Sequence, residues 1–404
     1  MTSVQDSRTL ALLGGSPAFA EPLHVGRPNI GSRERYLARV EAILDRRWLT
    51  NNGPMVLDFE AAIRQRLGVR HCVCTSNATV ALEIGARVLG LEGEVICPSF
   101  TFVATAHALQ WLGIEPVFCD VDLDSHGIDP SAVEERITPR TTGVVGVHLW
   151  GRSCAIEQLE EICRRRGLRL MFDAAHAFAC DHGGRWIGNF GDLEVLSFHA
   201  TKCLNSFEGG AIVTNDDELA ERARLLRNFG FAGFDRVVEL GVNGKMPEVC
   251  AAMGLTNLES LDEVIDVNRR HYSSYAAGLA ALPGLRVLPF DPLARNNYHY
   301  VVVVVDPVAA GLTRDEIVAF LHAENVLARR YFAPGCHGME PYRSRDPEAG
   351  RRLPNTEALS ATVFCLPSGT AVGERDVATV VELLAAGLEA SGAVRAALAG
   401  RSAR

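Results

Sequence analysis

From residue 70 to 215, short, almost wholly apolar runs alternate with stretches in which apolar residues recur every three or four positions. HCVCTS precedes TVALEIGARVLGL, and EVICPSF precedes FVATAHALQWLG. PVFCDVD and TTGVVGVHLWG follow, then AIEQLEEICRRRG and RLMFDAA. Apolar strands that do not alternate with polar residues, separated by amphipathic helices, predict an α/β fold with a mainly parallel sheet covered on both faces. Two further strands, LEVLSF and GGAIVTN, come with no helix between them. One of them is expected to run antiparallel.

Helical spacing dominates from 215 to about 280, opening at DDELAERARLLRNFG with Asn215 or Asp216 as the cap. After PGLRVLP the pattern changes. YHYVVVVVD, TRDEIVAFLHAENV, a loop rich in Pro and Gly, and AVGERDVATVVELLAAGL predict a smaller α/β lobe. The division is placed at 1–275 and 276–404, and the closing AALAGRSAR is expected to fray.

The chain has 404 residues, 48% hydrophobic and 22% charged, which suits two domains of a globular enzyme. Its net charge of −9 and lack of a basic cluster argue against a nucleic-acid partner. MTSVQDSRTLALLGG lacks the basic and long apolar regions of an export signal, and VVVVV at 301–305 is too short to cross a bilayer. The 11 cysteines contain no CxxC pair, so reduced thiols in a cytoplasm are expected, with no metal site and no membrane partner.

Ligands of parallel α/β sheets gather at the carboxyl ends of the strands. There the chain carries Ser76-Asn77-Ala78-Thr79, Ser99-Phe100-Thr101-Phe102, Asp173-Ala174-Ala175-His176 and Ser197-Phe198-His199-Ala200-Thr201-Lys202. Taken singly, each is ordinary. Lys202 reads as a surface lysine, Asp173 as a loop cap, Ser76 and Thr79 as helix caps, Phe102 as core and His176 as an interior histidine. Together they match pyridoxal 5′-phosphate (PLP). Its aldehyde needs a lysine amine, its pyridine nitrogen a carboxylate, its ring a flat partner, and its phosphate a helix N-terminus with hydroxyls. Asp173 and Lys202 lie 29 residues apart, each following a strand. No GxGxxG follows the first strand, which argues against a nicotinamide dehydrogenase.

These segments resemble the DegT-type sugar-nucleotide aminotransferases, which have the type I PLP-dependent aminotransferase fold. SNATVAL, CPSFTFVAT, FDAAHA, GNFGDLEVLSFHATK, EGG, GVNGKMPEVCAAMGL, WLTNNGP and LPSGT carry the resemblance over nearly the whole chain. It implies that Lys202 forms the Schiff base, that Asp173 partners the pyridine nitrogen, and that His176 lies near the ring hydroxyl. It further implies that Phe102 stacks on the ring, that Ala78, Thr79 and Ser197 bind the phosphate, and that His199 sits beside the lysine. Active sites at a homodimer interface are implied too, with Asn243 reaching the phosphate from the other subunit.

Two positions depart from the family. Asn77-Ala78-Thr79 stands where many relatives have Ser-Gly-Thr, and Phe207 where many have glycine. Some relatives replace the lysine with histidine and act as dehydratases, but this chain keeps Lys202. HATK, VGVHLWGR and YFAPGCH resemble the subgroup that aminates carbon 4 of dTDP-4-keto-6-deoxyglucose with L-glutamate. The basic pair Arg329–Arg330 is a candidate for the nucleotide's phosphates. The alternatives are a carbon 3 aminotransferase, other PLP chemistry on this fold, or a PLP-binding regulator.

Overall fold

A computed structural model describes residues 9–402. The export-signal reading falls in part on residues 1–8, outside the described residues, as do the last two residues of the tail. Seven strands form the main sheet: β1 (His71–Thr75), β2 (Glu94–Pro98), β3 (Glu115–Cys119), β4 (Thr141–Val147), β5 (Arg169–Asp173), β6 (Leu193–Ser197) and β7 (Gly210–Thr214). Their spatial order is β1-β7-β6-β5-β4-β2-β3. Only β7 runs antiparallel, against both β1 and β6. This is the strand pair that lacks a connecting helix.

The apolar runs are continuous because both faces are covered. In β5, Leu170 and Phe172 enter one core with Phe59 and Ile63 of the helix Pro54–Leu67, while Met171 enters the other. In β6, Leu196 faces the first core and Val195 the second, with Leu82 and Ile84 of α1 (Ala78–Val88). Period-two alternation thus survives as a choice between two dry faces. Asp216 caps the helix Asp217–Arg227, its carboxylate accepting from the amides of Glu218 and Leu219.

Three antiparallel strands, β8 (Leu285–Val287), β9 (Val301–Val305) and β10 (Val363–Leu366), form a second sheet. Val301, Val303 and Val305 of β9 pack there with Phe320, Phe364, Val380 and Leu384. Leu10, Leu12 and Leu23 from the chain's beginning join the same core. Leu23–His24 also pairs in parallel with Val326–Leu327.

Two expectations change. The Pro- and Gly-rich stretch contains a helix, Pro354–Thr362, and β10. Pro354 occupies the first helical turn, where its missing N–H costs nothing, and the apolar VFCL behind it fills a strand position. The tail does not fray before residue 402. It forms the helix Ser391–Ser402, anchored by Val394, which is fully buried in the second sheet's core. Among the described residues no single helix is long and apolar enough to cross a membrane.

Candidate active site

The cavity of interest opens at the carboxyl ends of β1, β5 and β6 and holds about 370 Å³. Its wall includes Ala78, Thr79, Phe102, Asp173, His176, Ser197 and Lys202. Sequence reading chose all of these.

The end of β1 makes an anion site by geometry. Asn77 is extended, at φ −164°, and its side chain caps α1 by accepting from the amide of Val80. Ala78 and Thr79 therefore occupy the first turn, where helical amides have no carbonyl four residues back. Those amides and the helix dipole face the cavity. The close approach of β7 needs Gly210. A Cβ there would lie 2.6 Å from the Ala78 nitrogen. Ser197 adds a hydroxyl: its Oγ accepts from the His199 amide at 3.4 Å, which leaves its own proton for the cavity.

β5 and β6 are parallel neighbours, with Asp173 opposite Val195. This register sets the Asp173 carboxylate beside the loop that follows β6. Backbone bonds fix that loop: Phe198 to Gly209 at 2.8 Å, and Lys202 to His199 at 2.9 Å. His299 clamps it from outside by donating its Nε2–H to the Thr201 carbonyl at 2.8 Å. Burial lowers the Lys202 amine to about 8, with Asp173 opposing the shift. A neutral amine is thus available near physiological pH.

His176 is held in one tautomer. Trp150 takes a left-handed backbone, φ 63°, and its N–H donates to His176 Nδ1 at 3.3 Å. The proton of the neutral ring is left on Nε2. Burial, then the charges of Lys202 and His299, hold the His176 pKa well below the ordinary histidine value, so the ring stays neutral. Its ring lies nearly parallel to those of Trp150 and Phe332, at centroid distances of 5.9 and 6.0 Å, and those two rings stack on each other at 5.1 Å.

Phe102, at 57% exposure, stands on the open side of the cavity. His199 lines it as well, with Nδ1 accepting from the Thr201 hydroxyl at 2.8 Å. Phe207 does not line it. It adopts φ 65°, a region that suits glycine, and turns its ring edge-on to Tyr36. Asn243 is exposed and bridges to Asn228, outside the cavity of its own chain.

The arginine pair splits. Arg329 faces the cavity with its guanidinium 5.0 Å from the centre of the Tyr331 ring, whereas Arg330 pairs with Asp315 at 3.1 Å. Sequence reading missed Tyr300, Tyr331 and Phe332, which line the cavity from the C-terminal part. The one available signal was the aromatic residues that open YHYVVVVVD and YFAPGCH. The site residues fit PLP: a helix N-terminus with hydroxyls for a dianion, a carboxylate between buried neighbours, and an amine that burial makes easier to deprotonate.

Known proteins share this architecture. The chain is 48% identical to DesI, whose structure was solved in the presence of its TDP-sugar product, with a TM-score of 0.90 over 98% of this chain and 99% of that one. A Shigella dysenteriae protein, a dTDP-4-amino-4,6-dideoxy-D-glucose transaminase, is 36% identical over 86% of this chain and 94% of its own. The Escherichia coli transaminase of the same description is 34% identical over 89% of this chain and 97% of its own. The DegT/DnrJ/EryC1/StrS family matches residues 31–385. The chain belongs to this family of PLP-dependent aminotransferases, and its fold is the type I aminotransferase fold.

Proposed function

We propose that the chain transfers an amino group from L-glutamate to carbon 4 of dTDP-4-keto-6-deoxyglucose, giving dTDP-4-amino-4,6-dideoxyglucose and 2-oxoglutarate. The observation that carries this reading is the meeting of the Lys202 amine and the Asp173 carboxylate in one cavity. Likeness to DesI and to the two transaminases supports the choice of sugar.

PLP, when bound, supplies an electron sink for carbanion chemistry. The chain's own groups do the rest. Ala78 and Thr79 offer amides, and Thr79 and Ser197 hydroxyls, to the phosphate. Asp173 accepts the ring N–H, and a carboxylate there favours the protonated nitrogen. His176 offers Nε2–H at the ring's hydroxyl position. Phe102 covers the open face. The Lys202 amine, neutral above about pH 8, takes the proton from the donor's Cα and returns one on the way back. Arg329 offers its guanidinium in the cavity to a substrate oxyanion.

The active form on this reading is a homodimer. Phe229, Phe231, Phe234, Val237 and Leu240 are exposed in the segment that leads to Asn243, with Phe234 at 100%. A second copy laid on this face would cover them and bring Asn243 towards the neighbouring phosphate site. All 11 cysteines are unpaired, which supports a cytoplasmic setting.

Incubating the PLP-loaded protein with L-glutamate and dTDP-4-keto-6-deoxyglucose tests the reaction. Mass spectrometry and NMR should find a new amine on carbon 4 and one equivalent of 2-oxoglutarate. An unchanged keto sugar, or an amine at carbon 3 from a 3-keto sugar, would overturn the substrate.

A further inference from the structure

The Asp173 carboxylate is held by a group that none of the roles above uses. Thr105, in the first turn of the helix Ala104–Trp111, donates its hydroxyl to Asp173 Oδ2 at 2.8 Å. The other carboxylate oxygen accepts from the Ala175 amide at 3.1 Å. Thr105 has one hydroxyl proton, and Asp173 takes it. The 3.2 Å contact between Thr101 Oγ1 and Thr105 Oγ1 therefore runs from Thr101 to Thr105. Thr101, Thr105 and Asp173 are 2%, 1% and 6% exposed, so these bonds are largely screened from bulk water.

The start of this relay is itself tied down. The Cys336 amide donates to the Ser99 carbonyl at 2.9 Å, and Cys336 Sγ lies 3.4 Å from the Thr101 carbonyl oxygen. The His337 amide donates to Ser99 Oγ at 3.0 Å. Segment 336–337 thereby straps the loop that carries Thr101.

We propose that Thr105, backed by Thr101, is a positioning residue that locks the Asp173 carboxylate in the orientation that receives the cofactor's ring N–H. The inference rests on the functional reading above. Each carboxylate oxygen spends one lone pair on a protein donor and keeps another for the ring. An acceptor that need not rotate as charge develops stabilises that charge better than a mobile one. Without the hydroxyl, Asp173 keeps only the Ala175 amide, and Thr101 loses its acceptor.

The test uses PLP labelled with ¹⁵N at the ring and loaded into wild type, Thr105→Val and Thr105→Ser. The ring-nitrogen resonance reports whether that atom carries a proton, independently of turnover. Valine matches threonine in shape and removes only the hydroxyl. Thr105→Val should move the resonance towards the neutral pyridine position and slow the glutamate half-reaction roughly tenfold, the worth of one charged hydrogen bond. Thr105→Ser should restore both. Thr105→Ala serves if the valine protein fails to fold, with the same expected shift. A wild-type resonance and rate in Thr105→Val overturns the inference alone. Equal disturbance in Thr105→Val and Thr105→Ser also overturns it, because packing and not the hydroxyl would then matter. A wild type that binds no labelled PLP overturns the functional reading and this one with it.

Discussion

Lys202 sets chemistry against stability within one side chain. Burial lowers its amine from 10.5 to about 8. Folding without cofactor therefore expels a proton between those two pH values, and the penalty is fully present below about pH 8. Lys202→Met should remove it. At pH 7 the variant apoprotein should be more stable than wild-type apoprotein, by on the order of 3 kcal/mol. The difference should fade as pH rises towards 10.5, and superimposable melting curves at pH 7 would contradict the burial. The variant should have no transaminase activity. Asp173 gives the complementary case. Asp173→Asn keeps the size and loses the charge, so it should retain some PLP but turn over about a hundred- to a thousandfold more slowly. Stopped-flow absorbance with glutamate measures this, and a near-normal rate would remove Asp173 from its role.

At the scale of elements, the site is a set of strand ends, and most of it was legible because strand ends are. Continuous apolar runs locate β1, β5 and β6, and the residues after them are those a PLP site needs. What pattern does not carry is the distance between a loop and a neighbouring strand. Gly210 reads as one half of a glycine pair after Glu208. Only the fold shows that a methyl group there would strike the opening of α1, 2.6 Å from the Ala78 nitrogen. Gly210→Ala should push that turn away and weaken PLP binding about tenfold with little change in rate once the cofactor is saturating. Titrating apoprotein with PLP by fluorescence checks it, and an unchanged affinity would mean that the first turn of α1 is not the phosphate anchor. Phe207 makes a related point. A substitution for glycine reads as a change of pocket shape, yet the ring turns out to Tyr36 and the backbone keeps the left-handed conformation glycine would choose.

At the scale of the whole molecule, the groups least visible in the sequence are those brought from far along the chain. His299 clamps the lysine loop from nearly 100 positions away, and Phe332 stacks on His176 across a still longer separation. No local period encodes such contacts. They follow from how the second sheet packs on the first. Assembly has the same character. Phe234 and Leu240 are exposed, and on the proposed homodimer a second copy would cover them. Phe234→Asp with Leu240→Asp should shift the protein from dimer to monomer in sedimentation velocity and lower PLP retention, since Asn243 would no longer reach a partner. A protein that sediments as wild type would place the interface elsewhere. Beneath all of this lies a single covalent claim. Borohydride reduction of the PLP-loaded protein, followed by peptide mapping, should find one phosphopyridoxyl group, on Lys202. A label on another lysine, or none in fully loaded protein, would contradict the account.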